Sequence, residues 1–357
     1  MRQVMRPYRR KQRGAALFVA LAVVVIVLAA VLTVNGRVQR ALATAAVQAD
    51  GTYLDQAAAG GVHTAIALLL RDRETSQADH LLEDWAVPEK IDPMAAAGLP
   101  ADIDLKVRVT DIRSLIQVNA LVVFPAGREF APKQQALWQR LLGLKDFSEM
   151  REAEQTPIMI VNSLKDWLDH GDDGAVTGLS GAEAAHYADL PVPYACRNGP
   201  LRSIDELLLV HGITPSLYRG SDELPGLASL VTIFGAKQVK AERTYDGRIN
   251  INTAPPPVLA ALLPEAHQDL AAAIFEYRQE MAADDERWPK PLWYRDAPGC
   301  QDLSIDTDLI TTASDLFRIQ ATAVRQQQTA TVTAVVQRLA EADGGKVTHR
   351  ILSWQPS

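Results

Sequence analysis

The densest set of side chains able to bind a ligand is acidic. Asp166, Asp169, Asp172, Asp173 and Glu183 crowd one short stretch, with Gly171, Gly174 and Gly178 between them. Hard carboxylate oxygens at close spacing suit Ca²⁺, which takes about six to eight oxygens at ~2.3–2.6 Å. Glycines let the backbone turn tightly and present carbonyls to the same ion. The loop is not an EF-hand: counted from Asp169, Gly174 falls where that motif has its glycine, but Gly171 and Ser180 stand where it needs acids. A helix C-terminus running into a solvated acidic loop accounts for the same residues.

Little else in the chain points to chemistry. It has no H-E-x-x-H, no G-x-S-x-G and no phosphate-binding Gly-Lys-Ser/Thr, so a non-enzymatic role is expected. The seven histidines are scattered, and His170 beside the acidic loop reads as incidental. Trp167, Leu168 and Tyr187 read as packing residues. Cys196 and Cys300 stand about a hundred residues apart. In an oxidising compartment two cysteines favour pairing, and a loop of that length would gain roughly 4–5 kcal/mol in the chain-entropy model. Two buried thiols that never meet is the alternative.

The elements that must position these groups start at a basic tip. The first 14 residues hold Arg2, Arg6, Arg9, Arg10, Lys11 and Arg13 and no acid; without these six the chain has 30 basic against 43 acidic residues, a net charge of −13. A basic tip on an acidic body argues for a membrane and against nucleic acid bound through bulk charge. The composition, 48% hydrophobic and 22% charged over 357 residues, excludes wholesale disorder and a polytopic membrane protein. Ala15 to Val34 (AALFVALAVVVIVLAAVLTV) is an uncharged run of 20 residues. As a helix it spans ~30 Å, the thickness of a hydrocarbon core. The positive flank should stay in the cytoplasm, leaving the body outside the inner membrane. A cleaved secretory signal, a plain single-span anchor and a third reading compete. The third rests on Gly14 at the junction of leader and helix (Arg13-Gly14-Ala15-Ala16-Leu17-Phe18-Val19), which resembles a type IV prepilin leader. That resemblance implies cleavage by prepilin peptidase between Gly14 and Ala15, with methylation of the new amine as its companion mark. Subunits of this kind mostly carry Glu at the fifth mature position, where this chain has Val19.

Beyond the apolar run the helix should continue to about Arg73, with Val47, Leu54, Ala58, Val62, Ile66 and Leu69 at near-helical spacing and Gly51, Gly60 and Gly61 weakening it. Its amphipathic half must pack on a sheet. Asp104 to Phe124 reads as a β-hairpin. Leu316–Val324, Thr329–Leu339 and Val347–Trp354 read as three more strands. These five strands, in two blocks, must form one sheet, so the residues between them are an insertion. That insertion reads as helical, with short helices at 134–144, 157–169, 180–188, 203–210, 215–218, 256–263 and 269–281, and with capping boxes at Ser203/Glu206 and Ser180/Glu183. PLRSIDELLLVHGITP has the layout of a helix-hairpin-helix unit, and ININTAPP begins a looser copy. A membrane-anchored periplasmic DNA receptor is therefore the alternative function. The acids around Gly212 favour a packing role instead.

Four stretches in order resemble the K-class minor pseudopilins of type II secretion (general secretion pathway protein K): the leader with Val19 in place of Glu, SLKDWLDHGDD with GAEAAHY, PLRSIDELLLVHGITPSLY, and RININTAPPPVLAALLP. VTDIRSLIQVNAL lacks the expected Gly-Arg-Leu-Asn wording, and the first mature residue is Ala where Phe is commoner. The resemblance implies an α+β pilin-like fold, a long N-terminal helix on an antiparallel sheet, with a large all-helical insertion of helix-hairpin-helix/SAM-like units. The expected organisation is a leader (1–14), a transmembrane helix (15–36), the first part of the pilin-like domain (37–124), the insertion (125–300) and the C-terminal strands (301–357). It implies a subunit that caps the pseudopilus tip and helps start assembly for export of folded proteins. Its partners would be the I- and J-class minor pseudopilins, prepilin peptidase and inner-membrane lipid. It also implies structural Ca²⁺ at Asp169, Asp172, Asp173 and Glu183.

Overall fold

The computed structural model describes residues 15–152, 154–171, 176–240, 242–339 and 346–357. Gly14, Asp172 and Asp173 lie outside the described residues. Helix α1 runs without interruption over Ala15–Thr75, 61 residues, or about 90 Å at 1.5 Å per residue. Its first half is exposed: every large apolar side chain from Leu17 to Val47 faces outward. In the second half Leu54, Ala58, Val62, Ile66 and Leu69 are buried at the expected spacing, while Val47 is not. A Cβ on Gly61 would sit 3.0 Å from Val107 and 3.1 Å from Ala321. This glycine, which costs helix propensity, is what lets α1 lie close on the sheet.

After α2 (Pro88–Ala95) comes β1 (Asp104–Asp111), whose alternating burial matches its alternating sequence. The expected hairpin does not form. Asp111 ends the strand by capping a 3₁₀ turn, its side chain accepting from the Arg113 N–H. The next run, Ile116–Leu121, is buried at every position and so has no polar face to leave in solvent. Within it β2 (Ile116–Gln117) pairs in parallel with β3 (Val231–Thr232), far along the chain. The chain then forms α3 (Pro132–Gly143), α4 (Lys145–Met150), α5 (Pro157–Leu168), α6 (Ala184–Ala188), α7 (Pro215–Arg219) and α8 (Leu227–Leu230). The hairpin β4 (Ala236–Val239) and β5 (Glu242–Tyr245) follows, then β6 (Ile249–Asn250), α9 (Pro256–Leu262), α10 (Ala271–Glu280) and β7 (Ile310–Thr311). The insertion is therefore mostly helical but not all-helical. It needs β3 and β6 to close on β2 and β7, which are contributed by its two connections to the pilin-like layer. The Ser203/Glu206 capping box is present, on a 3₁₀ segment (Ile204–Leu209); the Ser180/Glu183 box is not. Ser180 instead accepts from Asn162 Nδ2 at 3.1 Å.

The chain returns as β8 (Leu316–Arg325), β9 (Gln328–Leu339) and β10 (Thr348–Pro356), close to the expected bounds. One antiparallel sheet results, in the order β1-β8-β9-β10: four strands instead of five, because the second half of the supposed hairpin belongs to the other layer. Two cores follow. One joins α1 to the inner face of the sheet through Val107, Phe317, Ile319, Ala321, Val332 and Ala334. The other fills the insertion and reaches from Ile116 to Ile310, so the expected boundaries at 125 and 300 fall inside it.

A buried polar joint holds the two layers together. Arg338 on β9 places Nη2 2.5 Å from Asp79 and Nη1 3.2 Å from Asp72, and also donates to the carbonyls of Leu69 and Ser314. Asn250 of the ININTA stretch donates to the Asp79 carbonyl, Asp111 and Ser314. Thr253 adds a bond to Asp111 at 2.6 Å. Asn252 donates to the Trp288 carbonyl and accepts from Trp293 Nε1. The stretch that looked like a second hairpin unit is thus the buried fastening between insertion and sheet.

Candidate functional site

The acidic site is built by α5. Thr156 caps its N-terminus and Pro157 opens it, so the helix begins at a defined residue. Ile160, Val161, Leu164, Trp167 and Leu168 face the core. Asn162, Asp166 and Asp169 recur at i, i+4 and i+7, so they line a second face of the same helix. The chain from Val176 to Glu183 folds back over that face: the Thr177 N–H donates to both Asp166 oxygens at 3.1 Å.

Three carboxylates meet there. Asp166, Asp169 and Glu183 are all buried, and each offers an oxygen within 4.8 Å of the others'. Lys165 Nζ is 2.7 Å from Asp169. A Cβ on Gly181 would come 2.0 Å from Asp166 Oδ2, so only glycine leaves room for that carboxylate. Burial raises the Asp166 carboxyl above the usual range, opposed by its bonds to Thr177 and by Lys165. Three buried acids against one lysine suit a divalent cation held by oxygen.

Of the expected ligands, the structure brings Asp169 and Glu183 together. Asp172 and Asp173 lie in the undescribed loop between them. Asp166, a member of the acidic stretch but not one of the four expected ligands, completes the group. The signal that could have found it is the i, i+3 spacing to Asp169. Glu183, expected both in a Ser180 capping box and as a ligand, stands at the N-cap of α6, where its side chain makes no capping bond. His170 is turned away: its N–H donates to the Gly127 carbonyl and its ring packs edge-on against Phe124. Tyr187 packs on Trp167 and accepts from the His211 N–H.

The two cysteines do not pair. Cys196 Sγ donates to the Asp166 carbonyl at 3.6 Å, while Cys300 Sγ donates to the Pro298 carbonyl at 3.6 Å. Each sulfur is held by a different part of the insertion, which corrects the expected bridge. Burial pushes the Cys196 thiol up to about 11.

The Gly212 turn does not reach out as a phosphate-binding hairpin would. It lies against Met159 and Ile160 of α5. Beside it the His211 and His186 rings sit 4.2 Å apart. Nothing supports the DNA-receptor reading.

Asp72, Asp79 and Glu83 form a second acidic group with oxygens equally close. Here Arg338 supplies the positive charge. Glu83 accepts from Trp85 Nε1 at 2.7 Å and from the His80 N–H at 3.1 Å. Burial and the nearby Asp72 push Glu83 up to about 8; burial and Asp79 push Asp72 up to about 6.

Comparison with known proteins agrees with this arrangement. Residues 114–222 and 249–290 match the family described as Type II secretion system (T2SS), protein K. Type II secretion system protein K of Pseudomonas aeruginosa is 30% identical over 260 residues, covering 71% of this chain and 69% of that protein. The Klebsiella pneumoniae protein of the same description is 26% identical over 259 residues, 71% of each. The crystal structure of the GspK-GspI-GspJ complex from the type 2 secretion system of enterotoxigenic Escherichia coli contains a chain of the same fold. Its TM-score is 0.60 at 20% identity, over 88% of this chain and 99% of that one. The two matched segments carry α5 with its acidic site and the ININTA fastening, and the chain belongs to the type II secretion system protein K family.

Proposed function

We propose that this chain is the minor pseudopilin that caps the tip of a type II secretion pseudopilus and helps start its assembly. The observation that carries the reading is the division of α1. Its first half exposes apolar side chains on all sides, and its second half is packed on the chain's own sheet. An apolar helix bare on every face needs lipid or neighbouring helices to cover it. The insertion widens the body beyond what could stack beneath another subunit, which suits an end position. Val19 supports the same place: a terminal subunit has no subunit above it whose amine a Glu would neutralise. The partners on this reading are the I- and J-class minor pseudopilins. The helix lies in the inner membrane with the body in the periplasm. The role is assembly, not catalysis, and the Gly212 and ININTA stretches act as SAM-like packing units.

The acidic site takes structural Ca²⁺, held by Asp166, Asp169 and Glu183, with Asp172 and Asp173 close by in sequence. The ion would cross-link α5 to the strap 176–183. Lys165 and the Thr177 N–H hold Asp169 and Asp166, respectively, in place before it arrives.

Mass measurement after coexpression with prepilin peptidase tests the foundation. Loss of residues 1–14 and a methylated amine at Ala15 are expected. An intact leader, under conditions that process a control prepilin, would leave a plain anchor and remove the tip reading.

A further inference from the structure

The sheet face away from α1 carries a groove with an unusual charge balance. Side chains alternate along a strand, so Arg318 on β8, Thr333 and Val335 on β9, and Ser353 and Gln355 on β10 share that face. The insertion overhangs it with Arg202–Asp205 and Thr232–Phe234, enclosing about 460 Å³. Past Ile233, Phe234 and Leu352 the groove continues beside Lys237, Arg243 and Arg350 for about 460 Å³ more. On a chain of net charge −7, five cations line this path. The acid among the lining residues is Asp205, already engaged by the Tyr218 hydroxyl at 2.5 Å.

Arg318 is the centre of the argument. It lies half-buried on the groove floor. Among the described residues no carboxylate and no hydrogen-bond acceptor meets its guanidinium, and burial alone lowers its pKa. The buried arginines of the layer joint are matched by carboxylates, Arg338 by Asp79 and Asp72 and Arg113 by Asp315 at 2.8 Å, and buried Arg278 donates to the Ile251 and Ala254 carbonyls. A desolvated guanidinium without an anion is unfavourable. A carboxylate brought from outside would restore two parallel charge-assisted bonds. Among the described residues the neighbouring β10 is an open edge of the sheet, with Ile351, Leu352 and Trp354 exposed. Such an edge can hold an extended chain by main-chain bonds.

We propose that this groove docks an acidic, extended segment of a neighbouring pilin-like subunit along β10, with one of its carboxylates paired to Arg318. The proposal rests on the assembly reading above, and the test separates the two. The full-length chain is coexpressed with the other minor pseudopilins of its secretion operon. A photo-crosslinking residue, p-benzoylphenylalanine, is placed at Thr333 on the groove floor or at Leu42 on exposed α1. Leu42 reports assembly through the N-terminal helices whatever the groove does. A Thr333 crosslink that maps within a few residues of Asp or Glu in a partner is expected. Arg318→Glu should cut it at least tenfold and leave the Leu42 crosslink intact. Arg318→Met should also weaken it, while the melting temperature of the chain alone stays level or rises. A Leu42 crosslink without one at Thr333 overturns the groove and spares the assembly reading. Loss of both overturns both. The groove also falls if the Thr333 crosslink ignores Arg318→Glu, if it maps to a segment without acids, or if Arg318→Met lowers the melting temperature.

Discussion

Replacing Asp166 by Asn tests whether the acidic site holds a cation or only a strained cluster. Asp166, Asp169 and Glu183 crowd three carboxylates into one buried space beside Lys165, and a divalent ion would offset their mutual repulsion. Asn is nearly isosteric and its carbonyl can still accept from the Thr177 N–H, so the strap should stay in place. With Ca²⁺ at a hundred times its dissociation constant, binding adds about 2.7 kcal/mol to the folded state. At roughly 2–4 °C per kcal/mol for a body of this size, that is about 5–11 °C in melting temperature. The assay is a thermal melt of the full-length protein in detergent, in millimolar Ca²⁺ and again after chelation. The unaltered chain should lose most of that interval on chelation. Asp166→Asn should lose little, and in chelator it should melt above the unaltered chain because one buried charge is gone. Equal melting of the unaltered chain with and without Ca²⁺ would refute the cation. So would a variant destabilised by the same amount in both conditions.

Arg338→Met should destabilise the fold by about 3–5 kcal/mol, because it leaves the fully buried Asp79 without its cation; urea denaturation followed by tryptophan fluorescence measures it. Asn250→Ala should weaken the fastening between the layers, since it removes donors to Asp79, Asp111 and Ser314 at once; faster proteolysis in the connections near Leu115 and Ile310 is the expected sign. Glu83 predicts a pH dependence. Its folded pKa, about 8, lies above its ordinary value of 4.5, so the folded state binds the extra proton and its contribution is full below about 4.5. That contribution is lost as pH rises towards 8. Raising the pH from 5 to 8.5 should therefore lower stability, and Glu83→Gln should flatten the slope.

The parts legible in the sequence were those coded by local repetition. The uncharged run from Ala15, the helical spacing of Leu54, Ala58, Val62 and Ile66, and the alternation in the three C-terminal strands each state their own structure, because a helix or a half-buried strand repeats its buried side every few residues. Ser203/Glu206 marked a real start because a capping box is formed by side chains only three residues apart. Asp169 and Glu183 stood out as acids in a glycine-rich stretch, and the structure does bring them together. What depended on distant partners was not legible. Ile116–Leu121 has the composition of a strand beside β1, yet only Ile116–Gln117 is a strand, paired with Val231–Thr232, and Val118–Leu121 turns into a 3₁₀ segment. Nothing within the run records a partner more than a hundred residues away. Cys196 and Cys300 are compatible in kind and apart in space. Asp166 belongs to the acidic stretch, but nothing local ranks it above Asp172 and Asp173 as a ligand, and Arg338 is one polar residue within the strand run Thr329–Leu339. Sequence composition determined that this chain is an apolar helix carrying a sheet and a mostly helical insertion. Only tertiary packing decided which charges would be buried together, because the free energy of a buried charge depends on the partner that the fold places beside it.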